Sequence, residues 1–304
     1  MRKKTAYLSA ILLSLALLPA FFCGCGSRQK PDADIRQETS KTDDGPILQQ
    51  EETLQTDNGP KTDDADASVC ADEIRKRGYL IAGCKTDVPG LSIYDAKTDT
   101  WSGLEVELAW QTAAKLFGIS IDEAKQQQRV QFTGVTVADR EEKLAGKEVD
   151  CLFATYTITQ ERKEKFAFSD SYYTDYIGLM VRASAQDPNS LGSREIRSIA
   201  DLDGKKIGVA KNATTRKMFL DYIQTMNSIK TTPVFFEYKS YEALHTALKE
   251  GTIDVMAVDV SILNGYADPS VKILNDRFGG QRYAAAVRKE DAGLLTYINE
   301  ALKQ

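Results

Sequence analysis

Val149-Asp-Cys-Leu-Phe-Ala-Thr-Tyr-Thr-Ile-Thr-Gln-Glu-Arg162 is the stretch that decides the fold. Residues 150–154 form a short apolar run without alternation, the pattern of a strand covered on both faces. The chain then turns polar at Thr155, Thr157 and Thr159. Thr159 is a good N-cap, which puts Arg162 in the first turn of a helix. A buried strand feeding a capped helix is the repeating unit of an α/β sheet. Working outward, residues 79–83, 206–210 and 253–258 are runs of the same kind. Helical stretches separate them; in residues 103–117, Val106, Trp110, Ala113 and Phe117 fall on one stripe. Residues 183–197, Ser-rich and containing Asp187-Pro188 and Gly192, read as the boundary between two lobes.

The whole chain has 304 residues, 42% apolar and 27% charged, room for one large or two medium domains. Its 39 basic and 44 acidic residues leave a net charge of −5, with no basic cluster past the first residues, so nucleic acid is excluded as a partner. A single histidine, His245, argues against a Ser-His-Asp triad as the default and against zinc sites built on several histidines. It sits on the helical pattern of residues 241–249 as a surface or boundary residue. No cofactor or metal site is read from the chain, and no nucleophile–base pair marks an enzyme.

The N-terminus is an address. Arg2, Lys3 and Lys4 precede an apolar run over residues 6–22, the layout of a secretory signal and just short of the ~20 residues of a spanning helix. Phe22-Cys-Gly-Cys-Gly-Ser27 resembles a bacterial lipobox. Gly24 makes Cys25, ahead of Cys23, the expected lipid anchor, with residues 1–24 as the signal peptide. Residues 25–69 read as a disordered acidic tether, poor in core-forming side chains and carrying a loose echo, Thr42-Asp-Asp-Gly-Pro46 and Thr56-Asp-Asn-Gly-Pro60. A coil of that length reaches roughly 35–40 Å. Three cysteines remain, Cys70, Cys84 and Cys151, an odd number at spacings that fit neither a disulfide framework nor a zinc ribbon. They read as buried free thiols, with a Cys84–Cys151 bridge open if their strands are neighbours.

In open α/β sheets ligands bind beyond the carboxyl ends of strands. After the run at 150–154 come Thr155, Thr157 and Arg162: hydroxyls, backbone N–H groups and a planar guanidinium that suit a carboxylate. After 206–210 comes Lys211-Asn-Ala-Thr-Thr-Arg216, with Thr214 and Thr215 opening a helix. After 253–258 comes Asp259. Each of these reads equally as an ordinary helix cap when taken singly. Together, two anion-attracting surfaces and an acid suit a zwitterion.

At this point the chain resembles the extracellular solute-binding proteins of polar amino-acid ABC importers, family 3. Gly103-Leu-Glu-Val-Glu-Leu108 is similar to that family's signature, with Thr112 departing where an aliphatic residue is usual. The stretch opening this section, followed by Phe168-Ser-Asp-Ser-Tyr-Tyr173, is the most specific match. Gly204-Lys-Lys-Ile-Gly-Val209 with Thr214 and Thr215, and Ile253-Asp-Val-Met-Ala-Val-Asp259, complete it over about residues 70–304.

The resemblance implies a two-lobed type II periplasmic-binding fold (Venus flytrap), lobe 1 being residues 70–183 and 273–304 and lobe 2 residues 184–272. It implies a monomer, lipid-anchored at the outer face of the bacterial cytoplasmic membrane, that delivers an amino-acid ligand to ABC permease subunits. Arg162 would clamp the ligand α-carboxylate with N–H groups at Thr157 and at Thr214 or Thr215, and Asp259 with Thr155 would take the α-ammonium. Cys84-Lys-Thr-Asp-Val-Pro-Gly90 and Val137-Ala-Asp-Arg140 look like the glutamate/aspartate branch, so Lys85 and Arg140 would favour an acidic side chain, glutamine being the alternative. Tyr94, Tyr156 and Gln281 are further cleft candidates. A ligand sensor and a non-transport enzyme are the competing uses of such a fold. Family members continue by about another helix beyond Ala301-Leu-Lys-Gln304, one that packs on the first lobe.

Overall fold

The computed structural model describes residues 64–183, 195–226 and 230–303. The expected signal peptide, the anchor Cys25, nearly all of the tether and most of the break at 183–197 lie outside the described residues.

The chain opens with α1 (Asp64–Arg77), β1 (Leu80–Lys85), β2 (Asp87–Val88), β3 (Ser92–Asp95), β4 (Thr100–Ser102) and α2 (Leu104–Phe117). There follow α3 (Ile121–Gln126), β5 (Val130–Val135), α4 (Arg140–Ala145), β6 (Cys151–Phe153), α5 (Gln160–Lys163) and the long β7 (Phe166–Arg182). Next come β8 (Lys206–Ala210), α6 (Thr215–Thr225), β9 (Val234–Tyr238), α7 (Tyr241–Lys249), β10 (Val255–Asp259) and α8 (Val260–Gly265). β11 (Val271–Ile273), β12 (Phe278–Arg288) and α9 (Leu294–Leu302) close it.

Two parallel groups of strands make the two lobes. β5, β1 and β6 pair in parallel in one, and β9, β8 and β10 in the other. Antiparallel β12 and β7 lie between them in a single sheet of order β5-β1-β6-β12-β7-β10-β8-β9, with β11 added alongside β7. The start of β7 pairs with the end of β12, whereas residues 177–181 of β7 pair with β10. The chain therefore passes from first lobe to second within β7 and returns within β12. Of the parallel strands, β1, β6, β8 and β10 are almost fully buried, which is why they read as continuous apolar runs, whereas the edge strands β5 and β9 are partly exposed.

Local chemistry explains the rest. Gly103 has φ 118°, and a Cβ there would sit 2.4 Å from the Leu91 carbonyl oxygen, so only glycine admits the chain into α2. Thr112, the departure from the signature, is buried in α2 and satisfies its hydroxyl by donating to the Leu108 carbonyl at 2.8 Å. Helix α1 starts at Asp64, inside the stretch expected to be tether. Helix α9 buries Leu294, Ile298 and Ala301 in the first-lobe core, beside Ile74 of α1 and Leu108 of α2. Cys70, Cys84 and Cys151 are free, buried thiols of that same core. β1 and β6 are neighbours, yet Cys84 stands opposite Phe153 and Cys151 opposite Ala82. Among the described residues no helix is long and apolar enough to cross a membrane.

Candidate functional site

The strand ends converge. A small buried cavity of about 10 Å³ lies where the lobes meet, lined by Arg140, Thr155 and Thr157 from the first lobe and by Ala213, Thr214, Thr215, Tyr241, Val258, Asp259 and Ile262 from the second. A larger cavity of about 650 Å³ opens outside it, sharing Ala213 and Thr214 and walled by Arg162, Glu141 and Asn212.

Thr155 is held first. It follows β6 with φ 47°, an unusual conformation for a β-branched residue. Its amide donates to Glu105 Oε1 at 2.6 Å, and the Tyr172 hydroxyl donates to the same oxygen at 2.6 Å. Glu105, in the first turn of α2, is fully buried, and burial pushes its carboxyl up despite both donors. The first acid of the sequence signature is thus a clamp on the loop that follows β6.

The two arginines share one tyrosine. Arg140 is buried; its Nη1 donates to the carbonyls of Ala154 at 2.6 Å and Thr155 at 3.1 Å, while its Nε has no partner among the described residues. Arg162 donates through Nη1 to the Thr157 carbonyl at 2.8 Å and through Nη2 to the Asn212 carbonyl of the other lobe at 3.0 Å. Their guanidinium carbons lie 4.6 and 4.2 Å from the Tyr156 ring centroid, within cation–π range. Burial, then the Arg140 charge, pulls Arg162 down to about 10. Thr159 caps α5 as expected, accepting from the Arg162 amide at 3.2 Å.

Two other expected caps do not form. Thr214 sits at the N-cap position of α6, but its hydroxyl donates to Gln281 Oε1 at 2.9 Å. Thr157 donates to that same oxygen at 2.6 Å. Buried Gln281, on β12, thereby ties one threonine of each lobe together, and the α6 N-terminus, left without a side-chain cap, contributes Thr214 and Thr215 to the cavity lining. Asp259 occupies the N-cap of α8 without capping it; its Oδ2 instead accepts a short hydrogen bond from the Tyr283 hydroxyl. Asp175 Oδ2 lies 3.4 Å from that hydroxyl. Burial, with Asp175 adding repulsion, pushes Asp259 up to about 7 against the pull of Tyr283 and the two arginines.

Lys85 is placed differently from Arg140. It is fully buried, its Nζ 2.5 Å from Asp87 Oδ1 and 4.5 Å from the Tyr241 ring centroid, and it does not line the cavity. Burial pushes its ammonium down, partly offset by Asp87. Tyr94 also stands apart, on β3 against Trp101 and Asp99. Tyr156 lies beneath the arginines, fully buried. Sequence reasoning missed Tyr241, Tyr283 and Asp175. Tyr241 opens the helix over residues 241–249, a pattern that carries no signal of the cavity, and the other two act through partners that no local spacing announces. Among the described residues no cluster of His, Cys, Asp and Glu has the makings of a metal site.

Known proteins agree with this architecture. Residues 80–304 match the family described as bacterial extracellular solute-binding proteins, family 3. The ABC transporter glutamine-binding protein GlnH of Bacillus subtilis is 28% identical over 76% of this chain and 77% of its own length. The glutamate-binding protein GluB of Corynebacterium efficiens is 27% identical over 75% and 74%. The structure of holo ArgBP from T. maritima superposes with a TM-score of 0.61 at 26% identity, covering 76% of this chain and 92% of that one. With residues 80–304 matched and its two lobes closing on one polar cavity, the chain belongs to the bacterial extracellular solute-binding proteins, family 3.

Proposed function

We propose that this protein is the substrate-binding component of an ABC importer, capturing a polar L-α-amino acid between its lobes and handing it to the permease. One observation carries the reading: a buried carboxylate, Asp259, with no cap to make, stands across a small cavity from the hydroxyls and guanidinium of the opposite lobe. Asp259 takes the α-ammonium, with the Thr155 oxygen as a second acceptor. The α-carboxylate lies on the N–H groups at Thr157 and at Thr214 and Thr215 of the uncapped α6 start, and the Arg162 nitrogen now bonded to the Asn212 carbonyl of the other lobe joins its shell once the lobes have parted. A cavity this small admits a zwitterion only after the lobes part, so contact with both lobes favours closure, the signal a permease reads.

For the side chain, Arg140 and Lys85 support an acidic ligand, glutamate or aspartate. A second reading, glutamine or another neutral polar amino acid, is favoured by the Lys85–Asp87 ion pair, which neutralises one of the two cations. The same proposal includes residues 1–24 as a signal peptide, Cys25 as lipid anchor and the residues between Cys25 and α1 as tether at the outer face of the cytoplasmic membrane. It takes lobe 1 as the chain before the crossing within β7 and after the crossing within β12, lobe 2 as the residues between those crossings, and the protein as a monomer. A sensor would use the same cleft but require a signalling partner.

A thermal-shift panel of the twenty L-amino acids tests the reading. A ligand at ~1,000 times its Kd adds about 4 kcal/mol. The expected result is a shift with one or two polar amino acids that Asp259→Asn abolishes. No shift with any amino acid overturns it.

A further inference from the structure

Gly265 ends α8, and its φ is not left-handed, so its backbone would accept any residue. Glycine is a poor helix former and nothing local calls for it. What excludes a side chain lies across the cleft: a Cβ on Gly265 would stand 2.7 Å from Pro89 Cδ and 3.1 Å from Pro89 Cγ. Pro89 follows β2 in the first lobe, and a pyrrolidine ring does not swing aside as a flexible chain end does.

The surroundings form one edge of the closed cleft. Tyr266, next to the glycine, donates its hydroxyl to the Asp87 carbonyl at 3.0 Å. Val88 and Leu91, flanking Pro89, share a buried apolar cluster with Ile262 and Leu263 of α8. Neither Gly265 nor Pro89 lines the cavity. Away from this contact the Asn212 side chain donates to the Ala138 carbonyl at 2.9 Å, a second link between the lobes.

We infer that Gly265 and Pro89 form a closure seat: a bare helix end against a rigid ring, which lets the lobes reach their closed separation and so sets ligand affinity without touching the ligand. The affinity part rests on the function proposed above; the seat itself is readable without it. Overpacking a rigid contact by one methyl should cost the closed form about tenfold in population.

Hydrogen exchange by mass spectrometry on the full chain tests this, with and without an equimolar mixture of the twenty L-amino acids as probe. In Gly265→Ala, residues 154–159 and 213–216 should exchange about tenfold faster in the presence of the mixture. Exchange of β1 and β8, and the ligand-free melting temperature, should match the wild type. Adding Pro89→Ala removes Cδ and Cγ and should restore protection. The inference is overturned if Gly265→Ala exchanges like wild type, if the second substitution restores nothing, or if faster exchange spreads to β1 and β8. Should the mixture protect nothing in the wild type, the amino-acid reading fails. The seat is then judged on ligand-free exchange of the same segments, and no change on Gly265→Ala overturns it.

Discussion

The two walls of the cleft hold their charges in different ways. On the first lobe, Lys85, Arg140 and Arg162 are all engaged by protein: a carboxylate, two carbonyls, or one carbonyl from each lobe. On the second lobe Asp259, among the described residues the one charged group lining the cavity from that side, accepts there from a single phenol and has a second acid, Asp175, nearby. Burying a charge without full compensation is costly, and it persists where a partner is to arrive. The first wall is a finished electrostatic structure that offers spare N–H groups, and the second is an unfinished one that awaits a cation.

The difference breaks most visibly at the unfinished wall. Asp259→Asn should weaken amino-acid binding roughly 100-fold or more, because the ligand ammonium would then be buried against a neutral amide. Titration calorimetry reads this directly, and a loss below a few-fold would contradict it.

At the finished wall the largest effect is on stability. Glu105→Ala leaves the Thr155 amide and the Tyr172 hydroxyl buried without their acceptor, a loss of about 3 kcal/mol. Urea unfolding should report it as a lower midpoint.

The pH dependence sharpens the same contrast. The Asp259 carboxyl, about 7 in the fold against 3.8 ordinarily, stays protonated in the native state where the unfolded chain has already ionised. Its contribution to stability is therefore present at low pH and is lost as pH rises through the interval from about 4 to about 7. An ammonium ligand needs the ionised acid, so affinity should fall as pH drops below 7, approaching tenfold per unit, with proton release on binding. Calorimetry in buffers of different ionisation heat should find that release in the wild type and not in Asp259→Asn.

The smallest effect is expected at Lys85. Already paired with Asp87, it should change glutamate affinity by less than about threefold when replaced by Met, whereas Arg140→Met, at the cavity itself, should change it more. A tenfold loss at Lys85 would place a ligand carboxylate where the ion pair now stands.

Much of this was legible in the sequence wherever one local signal sufficed. The inner parallel strands β1, β6, β8 and β10 announced themselves because burial on both faces demands unbroken apolar runs, and β8 and α7 lie where the sequence pattern predicts, whereas the half-exposed edge strands β5 and β9 gave no such run. Thr159 and Arg162 were readable from a cap and a turn. The crossing strands β7 and β12 were not, since each passes from one lobe to the other and carries half-exposed, exposed and buried residues in one run. Gln281 and Tyr283 act on partners that lie up to 124 residues away in the chain, beyond any spacing rule. Thr214 and Asp259 stand at helix starts as expected, yet their side chains serve the other strand instead of the cap. Sequence position located these groups, and only the tertiary partners reveal their use.

The central claim is that the second wall awaits an ammonium group. Its most direct test is the affinity of an α-amino acid against the same molecule lacking the amine, glutamate against glutarate and glutamine against glutaramate, measured by titration calorimetry. The account predicts that the des-amino compounds do not bind detectably, and that Asp259→Asn narrows the gap by weakening the amino acid. Equal affinity for the two members of a pair would contradict it.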